Sequence, residues 1–518
     1  MVAELPVVSL IIPIFTRNNN FIKSIESIHI PHGISYEILI YNDGSTVPIS
    51  SQLASFKYIK NTKIYNSKKR KGISFGLNYL IDKAKGIYLV RFDSDDFFIK
   101  ERLSKQILQI SEKQIYSICF SSVIYKVSKN KFRKDRYNNK NISLFEFSFH
   151  NPIIHPTVIG NKKIFLKYKY KENSKYHLFE DYEIFYRMRK DGISFYKYNK
   201  PLLIYNLKKK TSKLLDQNLN NFKKKINRNV KFLFIKNIFF KLLKKLNFSY
   251  FFHFFSKKQV PKVPFTKDKV SIVIPTYNSE KTIAKAINSV IYQNYKSYEI
   301  LIIDDGSTDK TIEVIKKFKS DNIKLFRFYN TKRPSILRNM MIDFSDGEYI
   351  AFLDSDDFWL KGKLSKQINF MKKNDYCISA TSYKTNLNDI VSFKNRSSIS
   401  FSDLAKNNMI GTSSIIIKKK IFEKFKFVNN SFGQPEDYEL WLKISTKYKI
   451  GYISQIFHIY RDDPKKSIRF FSKNKIKQNL YILASINRYL LLNYKLKLLF
   501  QFNLEYFKKF LNILRSKI

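Results

Sequence analysis

At 518 residues, with 44% hydrophobic and 16% aromatic side chains, the chain is long enough for two or three domains with sizeable cores and too apolar to be mainly disordered. Its 95 Lys and Arg against 42 Asp and Glu leave a net charge of +53, which favours an anionic partner: nucleic acid, an anionic membrane surface, or phosphorylated ligands. The two cysteines, Cys119 and Cys377, argue against a disulfide framework or a zinc site and fit a reducing compartment.

The chain opens MVAELPVVSLIIPIF, with no basic leader and with Glu4, so Val7–Ile14 predicts a first strand, stopped by Pro13, and not a signal peptide. A helical pattern follows, then a second strand that ends in Asp43 (YEILIYNDGS, Tyr36–Ser45). Asn78 lies 15 residues before Asp93 (93 − 78), in the tract Val90–Gln106, VRFDSDDFFIKERLSKQ. There a short apolar run ends in Asp93, Asp95 and Asp96. Farther on, FEDYEIFYRM (Phe179–Met188) sets Glu180 and Asp181 at the head of a helical pattern. Strands alternating with helices imply an α/β domain with a mostly parallel sheet. Carboxylates at the C-terminal tip of such a strand stand where open α/β sheets bind ligands. Two of them two residues apart suit one hard divalent cation. The competing reading of DSDD alone is an Asp-rich turn that caps the next helix.

Repetition favours the first reading. Val270–Thr276 (VSIVIPT) and Tyr298–Ser307 (YEILIIDDGS) repeat the first two strands at an offset of 262 (275 − 13; 305 − 43). Ile350–Gln367, IAFLDSDDFWLKGKLSKQ, repeats the acidic tract at 261 (354 − 93), again 15 residues after an asparagine, Asn339. Pro435–Ile444 (PEDYELWLKI) repeats the Glu-Asp pair at 256 (437 − 181). Near-constant offsets across several motifs are the mark of internal duplication.

Two stretches differ from this pattern. Lys208–Lys258 holds 15 Lys and Arg with one Asp, interleaved with Phe, Leu and Ile, and Phe470–Ile518 has the same texture. Both predict basic amphipathic helices, which either lie on an anionic membrane surface or pack their apolar faces on the neighbouring domains. The layout expected is therefore 1–207 and 267–469 as α/β domains, with basic helical segments at 208–266 and 470–518. No run approaches the ~18 apolar residues of a membrane span, so a cytoplasmic protein is expected.

Taken together, the motifs resemble family 2 glycosyltransferases, inverting enzymes of the nucleotide-sugar-binding A-type (Rossmann-like) fold, over roughly residues 5–205 and 268–462. In the second copy the resemblance assigns Pro275, Thr276 and Tyr277 to the nucleotide base. Asp305 becomes the acceptor of a base hydrogen bond, with Asp304 in support, and Arg338 or Arg333 falls near the diphosphate. Asp356 would hold Mn²⁺ or Mg²⁺, with Asp354 assisting. Asp437, paired with Glu436, would be the general base for a single inverting displacement. Trp441 is read as core, and His458 either approaches the diphosphate or is structural. The first copy keeps Pro13, Asp43, Asp93, Asp95, Glu180 and Asp181, with Phe15 at the ring position. It departs from the pattern at Asn42 (for Asp304), at Leu77 (for Arg338) and at Asn206, and it places His155-Pro156-Thr157 where the second copy has Gly411-Thr412-Ser413.

The resemblance implies a metal-dependent bifunctional hexosyl- or hexosaminyltransferase of the bacterial surface-polysaccharide type. Its partners would be a nucleotide-diphosphate sugar donor, a glycan or lipid-linked glycan acceptor, and the inner face of the cytoplasmic membrane. The alternative is a single active copy with the other as acceptor-binding scaffold. Nucleic acid is disfavoured as a partner, because the basic residues cluster in amphipathic helices and not along a groove.

Overall fold

The structure is a computed structural model that describes residues 2–15, 21–46, 48–113, 117–128, 131–134, 142–144, 146–148, 150–173, 179–206, 222–224, 226, 265–393, 396–427, 436–461, 475–493 and 495–515. The chain divides into two compact units, Pro6–Val263 and Met1–Leu5 with Pro264–Ile518. The basic stretch 208–258 lies almost wholly outside the described residues.

In the first unit one sheet runs Thr62–Asn66, Tyr36–Asn42, Val8–Ile14, Tyr88–Arg91, Ile159–Asn161, Ser117–Ser128, Ser194–Asn206, Phe97–Phe98. The first four strands are parallel, Ile159–Asn161 is antiparallel to both neighbours, and Ser117–Ser128 and Ser194–Asn206 are again parallel. The second unit repeats this order as Ile323–Arg327, Tyr298–Asp304, Thr266–Thr276, Gly347–Phe352, Ile416–Lys418, Ile378–Thr385, Ile450–Tyr460, Phe358–Trp359. Among the described residues it adds two short strands: Glu4–Leu5 pairs in parallel with Ile323–Arg327 at the sheet's edge, and Ser398–Ile399 pairs with Ile450–Tyr460. Val2 joins the same core, and Glu4 meets Lys316 at 3.7 Å.

The central strands are near-continuous Val, Ile and Leu because helices cover both of their faces. In the second unit Ile272, Ile274, Ile300 and Ile302 are fully buried against Ile283, Ile287 and Val290 of the helix Ile283–Ile291. A polar clasp recurs at the opposite end of each sheet. Ser9 Oγ donates to Glu37 (2.6 Å) and accepts from Gly86 N (2.8 Å); Ser271 donates to Glu299 (2.6 Å) and accepts from Gly347 N (2.9 Å). A Cβ on either glycine would stand 2.6 Å from backbone or hydroxyl atoms of the neighbouring strand, so the approach requires glycine.

The C-terminal segment forms two helices, Lys475–Leu492 and Leu496–Arg515. Ile482, Ile486 and Leu490 repeat at helical spacing on one side and are buried; so are Phe502 and Tyr506, with the Phe502 ring 5.8 Å from that of Phe401. Asn487 donates to Asn503 between the helices, and Gln501 donates to Ser402. The outer side leaves Leu496, Phe500, Leu504 and Phe507 exposed at i, i+4, i+8 and i+11, with Leu480, Leu491 and Leu492. The packing reading therefore holds for one face, while the other stays open. Among the described residues no helix is long and apolar enough to cross a membrane.

Candidate active site

In both units the motif residues gather at the C-terminal ends of the parallel strands. Pro275 and Thr276 pair in register with Ile303 and Asp304, and Pro13 and Ile14 with Tyr41 and Asn42. The next residue is an exposed ring, Tyr277 or Phe15, and the Arg70 guanidinium lies 4.0 Å over the Phe15 ring. The residues that follow Phe15, 16–20, lie outside the described ones.

Asp304 is a turn cap. Its carboxylate accepts from Gly306 N (3.1 Å), Ser307 N (3.0 Å) and Ser307 Oγ, and it is wholly buried. Asn42 does the same in the first unit by accepting from Ser45 N at 3.0 Å, so the Asp-to-Asn change keeps the turn. Asp305 and Asp43 gather the loop before the next helix. Asp305 accepts from Thr331 N (2.8 Å) and Lys332 N (2.9 Å), and Asp43 from Lys71 N (2.6 Å) and Gly72 N (2.9 Å). Burial pushes the Asp305 carboxyl up to about 6 despite these donors. Asn78 and Asn339 exchange hydrogen bonds with backbone in both directions. Asn339 donates to the Phe427 carbonyl (2.9 Å) and accepts from Phe427 N (3.1 Å); Asn78 does so with Tyr170 (2.9 Å each way).

The acidic tract follows. In the first unit Asp93, Asp95 and Asp96 offer oxygens that all lie within 4.8 Å of one another, the one such cluster among the described residues. Three hard oxygen donors at that spacing suit a small divalent cation. Without a cation they burden one another: burial, then Asp93, pushes the Asp96 carboxyl up to about 9. In the second unit the Asp354 carboxylate meets Arg338 NH2 at 2.7 Å, and NH1 of the same guanidinium donates to Glu436 at 2.9 Å. Burial, opposed by Arg338 and supported by Asp437, pushes Glu436 up to about 7, and Glu180 shifts likewise to about 7.

Each Glu-Asp pair heads a helix, Glu436–Ser445 or Glu180–Lys190. A side chain from elsewhere in the unit orients the aspartate: Thr412 Oγ1 donates to Asp437 at 2.8 Å, and Asn151 Nδ2 donates to Asp181 at 3.0 Å. Thr412 was marked in the sequence only as part of Gly411-Thr412-Ser413, and Asn151 not at all; the fold brings each to its aspartate. A further role escaped the sequence reading. Asp357 accepts from Ser413 Oγ (2.6 Å) and Arg461 N (2.9 Å), and Asp96 accepts from Asn206 N (2.9 Å). The third aspartate thus anchors the end of the last strand beside the other two; its own repetition was the available signal.

Trp441 is fully buried between Phe352 and Phe427, a core residue. His458 is also buried, stacked 4.8 Å from Tyr383, with neither ring nitrogen hydrogen-bonded; Gly411 abuts it, and a Cβ there would lie 3.5 Å from Nε2. Arg333 precedes the helix Pro334–Phe344, its backbone N–H bonded to Thr331 Oγ1.

Comparison with known proteins identifies the family. The family description "Glycosyl transferase family 2" matches residues 9–173 and again 271–430. The chain is 37% identical over 187 residues to the Escherichia coli UDP-Glc:alpha-D-GlcNAc-diphosphoundecaprenol beta-1,3-glucosyltransferase WfgD, covering 36% of this chain and 73% of that protein. An uncharacterised glycosyltransferase of Rickettsia bellii is 26% identical over 511 residues, covering 93% and 72%. Among solved structures, S. aureus TarS 1–349 matches 46% of this chain and 72% of its own at 21% identity and a TM-score of 0.37. With the family matched over most of the chain, and matched twice, this protein belongs to glycosyl transferase family 2 and carries the family's α/β fold in two copies.

Proposed function

We propose that both copies are transferase sites, each moving a sugar from a nucleotide-diphosphate donor to a growing, lipid-linked surface glycan with inversion at the anomeric carbon. The observation that carries this reading is the retention in both units of the full set of carboxylates: the strand-end Asp43 or Asp305, the DSD aspartates, and a Glu-Asp pair with an oriented aspartate. A site without chemistry to perform gains nothing from buried carboxylates that repel one another.

The exposed ring of Tyr277 or Phe15 is suited to stack on a base, with Pro275, Thr276 and Asp305, or Pro13 and Asp43, at the same strand ends. Asp95 and Asp356, with Asp93 and Asp354, would hold Mn²⁺ or Mg²⁺, which supplies positive charge to the diphosphate leaving group. Asp437 and Asp181 accept the acceptor hydroxyl's proton; Thr412 or Asn151 donates to one carboxylate oxygen and the N–H of Tyr438 or Tyr182 to the other, which fixes how the carboxylate is presented. The name of one relative supports the substrate class. The Escherichia coli protein is named for UDP-glucose and an undecaprenyl-diphosphate sugar. The C-terminal helices support an inner-face, peripheral location: residues 470–518 hold ten Lys and Arg against one Glu, and Leu496, Phe500 and Phe507 face outward.

The reading is tested with Asp437→Asn and Asp181→Asn in the full chain. Each is expected to leave UDP-sugar binding nearly intact while lowering its own transfer by at least ~10²-fold. Undiminished transfer in either variant would remove that aspartate as the base.

A further inference from the structure

The guanidinium that pairs with the leading DSD aspartate comes from a different element in each unit, and in the first the buried Arg102 also faces Asp93 and Asp96. In the second unit the pairing residue is Arg338, on the helix Pro334–Phe344, bound to Asp354 and Glu436. The same helix position in the first unit is Leu77 (338 − 77 = 261), buried and uncharged. At the tip of the strand that carries DSDD the exchange runs the other way. Phe352 of the second unit, fully buried beside Phe427 and Trp441, is replaced by Arg91 in the first (352 − 91 = 261). Arg91 is 2% exposed, and its NH2 pairs with the Asp93 carboxylate. Its NH1 donates to the Phe92 carbonyl, and Arg102 NH2 donates to its own carbonyl at 2.7 Å. Its charge reaches Glu180 as well. In both units the arginine's Nε is buried with no hydrogen-bond partner among the described residues.

An arginine that interrupts a buried strand is costly unless carboxylates compensate it, and here they lie at the strand's own tip. We propose that Arg91 is the positioning residue of the first site, holding the leading DSD carboxylate from the strand, as Arg338 holds the second site's leading carboxylate from the helix. Leu77 is then the other half of a paired exchange (Leu77/Arg91 for Arg338/Phe352) and not the loss of a basic group. This rests on the first site being a nucleotide–metal site, as proposed above.

The test uses the full chain with Asp356→Ala, which removes the second site's metal carboxylate. Three variants are added to it: Arg91→Phe, Leu77→Arg, and both together, which installs the second unit's arrangement in the first. Binding of UDP with Mn²⁺ is measured by calorimetry at pH 7, and thermal unfolding by scanning calorimetry. Arg91→Phe is expected to weaken binding about tenfold or more. The double variant is expected to recover most of that loss and to melt higher than either single variant. Binding unchanged in Arg91→Phe would overturn the inference, as would a double variant that recovers no binding or melts no higher than Arg91→Phe alone. If the Asp356→Ala parent itself binds no UDP with Mn²⁺, the first site's reading as a nucleotide–metal site fails and Arg91's functional role with it; the melting comparison then reports only on the structural equivalence of the two arginines.

Discussion

At the scale of single residues, the second site crowds Asp354, Glu436 and Asp437 around Arg338, and that imbalance has consequences for pH. Glu436 titrates at about 7 in the folded protein because it is buried beside Asp437, well above its ordinary 4.5. Between those values the folded state holds a proton that the unfolded state has released. The glutamate's contribution to stability is therefore fully present below about 4.5 and is lost as pH rises through 7. Glu436→Gln keeps an oxygen for Arg338 and removes the titration. Both tryptophans, Trp359 and Trp441, are buried in the second unit, so their fluorescence reports its unfolding. From pH 5 to pH 8 the wild type is expected to lose roughly 1–3 kcal/mol relative to the variant in urea unfolding followed by that signal. Parallel stabilities at the two pH values would show that Glu436 is ionised throughout. Asn339→Ala removes two buried hydrogen bonds to Phe427 and is expected to cost about 2–3 kcal/mol by the same signal. The motif aspartates were legible in the sequence because Asp43, Asp93 and their repeats end apolar runs, Asp181 and Asp437 head helical patterns, and all recur at near-constant offsets. Asn151 was not, because a polar loop residue carries no period, and Thr412 stood out only by its place opposite His155-Pro156-Thr157 and not as the partner of Asp437. Arg91 was visible as the one charge in a buried strand, and its meaning came only with the position of Leu77.

At the scale of elements, the α/β class followed from strands alternating with helices, and the doubled set of motifs fixed the repeat. The strand Glu4–Leu5 did not follow, since two residues have no periodicity and its partner lies more than 300 positions away. The C-terminal helices show where sequence reading reaches its limit: an amphipathic pattern with apolar residues on more than one face does not say which face is covered. The structure buries Phe502 and leaves Phe500 75% exposed two positions away. Phe502→Ala is therefore expected to destabilise the second unit by about 3–5 kcal/mol. A Phe500→Ser, Phe507→Ser double variant is expected to leave stability within about 0.5 kcal/mol while weakening flotation with anionic vesicles. Vesicle binding equal to the wild type's would return the outer face to another use.

At the scale of the whole molecule, duplication has preserved the chemistry-bearing carboxylates while their support diverged. Asn42 caps the turn that Asp304 caps, Asn151 orients the aspartate that Thr412 orients, and Phe15 with Arg70 replaces Tyr277. Such divergence fits two sites that retain one reaction and differ in what they bind. The most direct test is sugar transfer by the full chain across a panel of nucleotide sugars, with and without Mn²⁺, in the wild type, Asp95→Ala and Asp356→Ala. Two working sites predict that each substitution abolishes one donor's transfer and spares the other's. Loss of all transfer in Asp356→Ala together with none in Asp95→Ala would contradict them and leave the first copy as a scaffold.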